Sequence, residues 1–514
     1  MSLNLVIRAD ANSRIGTGHL MRCIALAQAW QERGGYVTFL SHCQNEALQR
    51  RVIKEGFEFV FVERPHPDPA DLKQVLDQLQ NFRNGNGIPW LALDGYHFDS
   101  DYQKSIREAG SRLVVIDDYN HLSNYHADIL LNQNIGAELI PYICDLKTVK
   151  LFGPKYSLLR TEFLTWKNRI QKQPEDQRRI MVTLGGADPD NITLKVLRAL
   201  LQTRLKDFCV DVIVGPANPN IKELEFEIQC ARKASVPLAK AIQFLHSINM
   251  SEIMAMTDVA ISAGGSTCWE LCFFGIPSLL IIAAENQQST AVGLDHTGAA
   301  ACLGWHEDVD PVRLSSTLMN FLSNFHQLRL MSLQAKKIVD GRGRNRLLNL
   351  MDWIETAENK NDFLLRKVRI KDAFQLWMLA NDLDVRRNSF NTGPITYENH
   401  VRWLNKKLAS GTSVIYVLDV SGVLVAQIRY DTNDSTAEID YAVNPSFRGK
   451  NIGSKILEMT WKSACEELGV QRARGIVKKN NKCSIFSFQK SGFQELKRNT
   501  YSGFDCVVFE KQLN

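Results

Sequence analysis

A short apolar run, Asn4–Ile7, breaks into the polar turn that starts at Arg8, and apolar residues resume at Leu20–Trp30 with helical spacing. Strand, glycine turn and helix in that order form the opening unit of a parallel α/β sheet and leave few other folds open. Such a turn presents backbone N–H groups to a ligand at the carboxyl end of the strand. Here it carries Gly16, Thr17 and Gly18, all expected to approach a ligand, and it delivers His19 to the helix N-terminus. The positive end of the helix dipole disfavours imidazolium, which suits a histidine that must accept a proton. A tight turn capped by histidine would need the same residues, so the turn alone leaves both readings open.

The alternation continues. Apolar runs at Leu3–Ile7, Tyr36–Ser41, Glu58–Val62, Trp90–Asp94, Arg112–Ile116 and Ile129–Leu131 are separated by helical patterns, which predicts a parallel sheet over residues 1–165. The polar stretch Trp166–Arg179 reads as a linker. A second alternating block covers 178–356, with strands Ile180–Leu184, Phe208–Val214, Val259–Ser262 and Ser278–Ile282, each ending at a polar turn. Two such blocks imply two Rossmann-like domains facing a cleft. After the polar joint Glu355–Asp362 the pattern changes. Residues 362–514 predict an α+β domain whose strands, among them Ser413–Leu418, Val423–Tyr430 and Ala437–Val443, are largely antiparallel. A length of 514 residues fits three domains of about 100–200 residues each.

Composition excludes several classes. Hydrophobic content of 45% and charged content of 23% are those of soluble globular protein. A net charge of +5 suits a small anionic ligand and does not argue for nucleic acid. No signal peptide is visible, and no apolar run reaches the ~18 residues of a membrane span. The 11 cysteines form no C-x-x-C pair, which points to a reducing, cytoplasmic setting. Nothing in the sequence specifies an oligomeric state.

The second strong signal is Ile261-Ser-Ala-Gly-Gly-Ser-Thr-Cys-Trp-Glu270, continuing to Gly275-Ile-Pro277. A strand ends, two glycines and two hydroxyls follow, and a helix begins. The N–H groups of Gly265, Ser266 and Thr267, with Gly264 before them, make a site for a diphosphate. Glu270, one turn into that helix, is placed to accept from ribose hydroxyls. Asp188-Pro-Asp190 looks superficially like a metal-binding D-x-D, but after Gly185-Gly186 and before Asn191 it reads as a turn and helix cap. No His/Asp/Glu cluster has metal-ligand spacing, so no metal is expected.

The glycine loop at 264–267 resembles the nucleotide-sugar half of two-Rossmann glycosyltransferases of the B type. With Arg8-Ala-Asp10 and Gly16-Thr-Gly-His19-Leu-Met-Arg22, residues 4–350 resemble a narrower family, the hydrolases that remove UDP from UDP-2,4-diacetamido-2,4,6-trideoxy-β-L-altropyranose in pseudaminic acid biosynthesis. Leu93-Asp94-Gly-Tyr96, Ile116-Asp117-Asp118, Leu131-Asn132-Gln-Asn134, Leu158-Leu-Arg160-Thr-Glu-Phe163 and Gly185-Gly186-Ala-Asp-Pro-Asp-Asn191 follow in the family's order. The resemblance implies water attack on the anomeric carbon with inversion and departure of UDP. His19 would be the general base, Tyr96 and Asn286 would lie beside the sugar, and Arg160 would join the UDP site.

In the third block, Glu438-Ile-Asp-Tyr-Ala-Val443 runs into Asn-Pro-Ser-Phe-Arg448-Gly449-Lys450-Asn451-Ile452-Gly453, a strand, a basic glycine turn and a helix start. This is similar to the acyl-CoA loop of GCN5-related N-acetyltransferases, the GNAT family. The second half agrees with the family from Val477 through Asn481 to Gly492-Phe493. The resemblance implies that acetyl-CoA is the cosubstrate, held by Val443, Arg448, Gly449, Lys450, Asn451, Ile452, Gly453 and Asn481. Glu438 is the candidate base for the incoming amine. Two residues depart from the family pattern. Asn451 replaces the middle glycine, which a left-handed asparagine tolerates. Phe488 replaces the tyrosine that protonates the leaving thiolate, and phenylalanine has no proton to give.

The preceding step of the implied pathway acetylates the 4-amino group of a UDP-sugar. The fusion therefore suggests two consecutive steps on one chain, acetylation and then UDP removal. Two rival readings are a UDP-sugar-dependent glycosyltransferase whose GNAT domain acts on another amine, and a non-catalytic nucleotide-sugar sensor.

Overall fold

The segment Trp90–Asp94 is buried at every position, which only a sheet covered by helices on both faces allows. The computed structural model that shows this describes residues 4–12, 16–167, 178–203, 205, 208–215, 218–246, 249–356 and 363–513. Residues 13–15 of the glycine turn, 168–177 of the polar linker and 357–362 of the polar joint lie outside the described residues. Two compact units divide the chain, residues 2–348 and 349–514, and the division falls inside the helix Gly343–Thr356.

The first unit holds two parallel sheets. The first sheet contains β1 (Asn4–Ala9), β2 (Tyr36–Ser41), β3 (Glu58–Phe61), β4 (Trp90–Asp94), β5 (Arg112–Ile116), β6 (Ile129–Asn132) and β7 (Val149–Phe152). Their order is β3-β2-β1-β4-β5-β6-β7, with every neighbouring pair parallel. The chain builds outward from β1 to β3 and then returns to place β4 on the other side of β1. The carboxyl ends of β1 and β4 therefore flank a topological switch point, where loops diverge and leave a crevice.

The second sheet repeats the plan with β8 (Arg178–Thr183), β9 (Phe208–Ile213), β10 (Ile242–Leu245), β11 (Val259–Ala263), β12 (Ser278–Ile282) and β13 (Ala301–Trp305). The order β10-β9-β8-β11-β12-β13 puts its switch point between β8 and β11. Val182, Val212, Ile261 and Ile281 fill the core on one face, and Met181, Ala260, Leu280 and Ile282 fill the other, as the period of a strand requires.

The second unit has one mixed sheet of β14 (Leu364–Lys367), β15 (Ser413–Val420), β16 (Val423–Asn433), β17 (Thr436–Val443), β18 (Arg472–Lys478), β19 (Gln494–Tyr501) and β20 (Phe504–Gln512). Its order is β14-β15-β16-β17-β18-β20-β19, and only β17 and β18 pair parallel. That pairing ends at Ile439↔Gly475, although β17 continues to Val443 and β18 to Lys478. The two strands part beyond that point and leave backbone groups unpaired within the sheet. Among the described residues no helix is long and apolar enough to cross a membrane.

Candidate functional site

Helix Gly18–Glu32 starts at the carboxyl end of β1, with Gly16 left-handed at φ +78° just before it. His19 is in its first turn and only 7% exposed. Its Nδ1 lies 2.5 Å from Oδ1 of Asp94, the last residue of β4. Arg22, one turn further along the helix, donates to Asp94 through Nε at 2.6 Å and Nη2 at 2.7 Å. The same guanidinium donates through Nη1 to both oxygens of Asp118, at 2.9 and 2.8 Å. Asp118 also accepts from the Tyr96 hydroxyl at 2.5 Å and from Asn134 Nδ2 at 3.0 Å. The Tyr96 ring stands edge-on to His19, with centroids 4.8 Å apart.

Burial would push the Asp94 carboxyl up, but Arg22 and His19 outweigh it and hold Asp94 well below the usual carboxylate range. Asp94 is thus ionised and can only accept, so His19 donates Nδ1–H to it and keeps Nε2 as an acceptor. One guanidinium bridges the two carboxylates and so ties His19 and Tyr96 into a single buried network. Arg8, at the end of β1, is fully buried and bonds Asp71 at 2.6 Å and Asp10, which fixes the start of the turn.

The second switch point carries the glycine loops. Gly185, after β8, is left-handed at φ +102°. Asp188 accepts from Ile192 N and Thr193 N, both at 2.9 Å, and so caps the next helix. After β11, Gly264 lies so close to Gln287 and Ala291 that a side chain there would meet the Gln287 carbonyl oxygen at 3.0 Å. Helix Thr267–Phe274 follows, and its first amides have no intrahelical partner. The two switch points face each other. A methyl group on Gly18 would be 3.6 Å from Ser266 Oγ, and one on Gly186 would be 3.6 Å from Thr17 Oγ1. Arg160 joins the two halves through Glu162 at 2.8 Å and Glu270 at 3.2 Å. Among the described residues no group of three or more His, Cys, Asp or Glu is arranged to hold a metal ion. An open cavity lined by Arg178, Phe208, Thr257 and Pro277 sits at the amino ends of the second sheet's strands, on the side opposite this site.

In the second unit the loop after β17 has Gly449 at φ +78° and Asn451 at φ +57°, so two left-handed residues alternate just before helix Ile452–Leu468. Alternating left-handed residues turn N–H groups into one anion-binding concavity. Arg448 donates to Asp382 at 2.5 Å and Asp384 at 2.9 Å. The Lys450 ammonium is 4.3 Å from the centre of the Trp353 ring, which also packs on Phe447. Asn481 caps helix Lys482–Lys490 by accepting from Ser484 N at 3.2 Å. Phe488 is 2% exposed, stacks on Phe509 and covers Gly475, where any side chain would strike its ring. The Tyr441 hydroxyl donates to Ser484 Oγ at 3.0 Å. Glu438 accepts from Asn433 Nδ2 at 2.8 Å, in the part of β17 that is still paired with β18.

Residues 362–494 match the family described as the acetyltransferase (GNAT) domain, and residues 179–342 match the glycosyltransferase family 28 C-terminal domain. The uncharacterized protein MJ1062 of Methanocaldococcus jannaschii is 25% identical over 96% of this chain and 98% of its own. The spore coat polysaccharide biosynthesis protein SpsG of Bacillus subtilis is 25% identical over 69% of this chain and 100% of its own. The UDP-2,4-diacetamido-2,4,6-trideoxy-beta-L-altropyranose hydrolase of Campylobacter jejuni is 24% identical over 58% of this chain and 97% of its own. The chain thus joins a unit similar to the Campylobacter jejuni hydrolase to a GNAT domain.

In the hydrolase-like unit the fold brings together Gly16, Thr17, Gly18, His19 and Tyr96 at one switch point and Gly264, Gly265, Ser266, Thr267 and Glu270 at the other. Asn286 is exposed in the first turn of helix Glu285–His296. Sequence reasoning did not assign roles to Asp94 and Arg22 and left Asp118 secondary, although these residues hold His19 and Tyr96. One signal was available: Arg22 lies three residues after His19 and so shares its helix face. In the GNAT domain, Arg448 bonds the Val443 carbonyl and the carboxylates of Asp382 and Asp384, and Asn481 caps a helix.

Burial pushes the Glu270 carboxyl up to about 7, against the pull of Arg160. Ribose hydroxyls would donate to its ionised form. UDP binding near neutral pH is therefore expected to release up to about half a proton from Glu270. Calorimetry in buffers of different ionisation enthalpy measures this, and Glu270→Gln should remove that part of the release. Wild-type UDP affinity should also rise relative to the variant as pH increases through about 7. Equal proton release by the two proteins would remove Glu270 from the nucleotide site.

Proposed function

We propose that the hydrolase-like unit cleaves UDP-2,4-diacetamido-2,4,6-trideoxy-β-L-altropyranose to UDP and the free sugar, and that the GNAT domain acetylates the 4-amino UDP-sugar that precedes it. The observation that carries the first half is the Asp94–His19 pair at one switch point, against the Ser266 loop of the other. His19 Nε2 takes a proton from water as the water oxygen attacks the anomeric carbon. The bond from that carbon to the β-phosphate oxygen breaks on the opposite face, and UDP leaves with the electron pair. Asp94 stabilises the imidazolium, a general-base role worth about 10²–10⁴-fold. The amides and hydroxyls at 265–267 meet the charge that develops on the diphosphate. Asp94 and Arg22 do not reach the substrate in this scheme; they position His19.

The second half rests on the GNAT match and on the loop after β17. Two left-handed residues and a helix N-terminus fit the diphosphate of acetyl-CoA. The parting of β17 from β18 leaves backbone groups free to pair with an extended ligand. The amine nitrogen attacks the thioester carbonyl and gives up a proton to water, the C–S bond breaks, and the CoA thiolate leaves and is protonated from solvent. Phe488 supplies no proton to it.

Mass spectrometry of the whole chain with the 4-amino UDP-sugar tests both halves. With acetyl-CoA present, free diacetamido sugar, UDP and CoA should accumulate. Without acetyl-CoA the amino sugar should stay unacetylated, and supplied diacetamido UDP-sugar should still lose UDP. Transfer of the sugar to an added acceptor in place of water would establish a glycosyltransferase instead.

A further inference from the structure

One exposed aromatic residue lies one ring removed from His19, on a firmly held loop. Tyr119 follows β5 and is 47% exposed. Its loop is built around Asp117, which is fully buried. That carboxylate accepts from Tyr119 N at 2.9 Å, Asn120 N at 2.6 Å, Tyr125 hydroxyl at 2.9 Å, Tyr142 hydroxyl at 2.6 Å and His121 Nδ1. Five donors on one carboxylate leave the loop little freedom, and Asn120 adopts the left-handed φ of +64° that the turn requires. The Tyr119 ring centroid lies 4.8 Å from that of Tyr96, whose ring is itself 4.8 Å from His19. A continuous aromatic surface thus runs outward from the base and ends in an exposed ring. The loop follows the carboxyl end of β5, which runs parallel to β4, and so lies on the same side of the sheet as the crevice.

Exposing so large an apolar ring on a rigid support forgoes the gain of burying it. A ligand that covers the ring recovers that gain without an ordering cost. A pyranose fits this place when one face is rich in C–H groups, because those carry partial positive charge toward the electron-rich ring face. Resting on the nucleotide-sugar reading above, we propose that Tyr119 is the stacking platform for the C–H face of the sugar ring and so a specificity-determining residue of the hydrolase-like site. It contacts the sugar and not the nucleotide.

The test compares affinities in a chain that does not turn over. Calorimetry with UDP and with the diacetamido UDP-sugar is run on His19→Ala, on His19→Ala with Tyr119→Ala, and on His19→Ala with Tyr119→Phe. The preference for UDP-sugar over UDP should fall about tenfold with Tyr119→Ala and stay within about threefold with Tyr119→Phe. UDP affinity should not change, because Asp117 grips the backbone N–H of residue 119 and the loop survives the substitution. An unchanged preference in the Tyr119→Ala chain, or an equal loss of UDP affinity, overturns the platform role and leaves the hydrolase reading standing. Failure of His19→Ala to bind either UDP or the UDP-sugar defeats the nucleotide-sugar reading itself, and the platform role with it.

Discussion

Replacing His19 by alanine is expected to lower the rate of UDP release by about 10²–10⁴-fold, with UDP affinity close to wild type. The imidazole is the group at the first switch point whose second nitrogen is left as an acceptor, because Asp94 binds the first. The loops proposed to hold the nucleotide belong to the other sheet, and their amides are untouched by the change. Gly18 abuts Ser266, whereas the His19 ring is tied to Asp94 of the first sheet, so loss of the imidazole should leave the proposed diphosphate site intact. Steady-state release of UDP, with isothermal titration of UDP as the control, decides the matter. Turnover above about a tenth of wild type would assign the base elsewhere.

Asp94→Ala is expected to destabilise the hydrolase-like unit by about 3–5 kcal/mol, the largest stability effect of any single change at this site. Asp94 is fully buried and Arg22 is 7% exposed. Removing the carboxylate takes two bonds from a guanidinium that has almost no access to water, and leaves it with Asp118 as its remaining ionic partner. Asp94→Asn preserves the volume and should fold better, yet it cannot hold His19 in the same tautomer or stabilise imidazolium. Its kcat should fall by ~10²-fold or more with KM little changed, the signature of a residue that positions the base. Thermal unfolding of both variants and steady-state kinetics of the asparagine variant are the measurements. The pH sign is definite. Asp94 is held well below its ordinary value of 3.8, so its contribution to stability is present above that pH and is lost only as pH falls further.

Much of this architecture was legible before any coordinates. Buried parallel strands announce themselves as apolar runs, and Tyr36–Ser41, Trp90–Asp94, Arg112–Ile116 and Ser278–Ile282 have the boundaries read from the sequence. Several edge strands were not legible, although Glu58–Phe61, at the opposite edge of the first sheet, was. The segments Val149–Phe152, Ala301–Trp305 and Gln494–Tyr501 are the last strands of their sheets. An edge strand has one neighbour and needs little apolar pattern, so Gln-Glu-Leu-Lys-Arg-Asn-Thr-Tyr does not look like a strand at all. The segment Asp117–His121 was equally opaque. Two aspartates at a strand end carry no local sign of what they will bind. In the structure Asp117 is the hub of a loop and Asp118 anchors both Arg22 and Tyr96.

By itself the sequence determined the kinds of element and the turns at which ligands can sit. Strand–glycine–helix at His19, Gly264–Thr267 and Arg448–Gly453 is a local pattern, set by which residues tolerate left-handed backbone and which leave amides free at a helix start. Tertiary structure alone decided which of these turns face one another and what charges surround them. His19, Asp94 and Asp118 are separated by dozens of residues, and β4 lies beside β1 only because the chain reverses its direction of growth after β3. Strand order is a property of the whole sheet, so the carboxylate that holds His19 could not be read from the neighbours of His19.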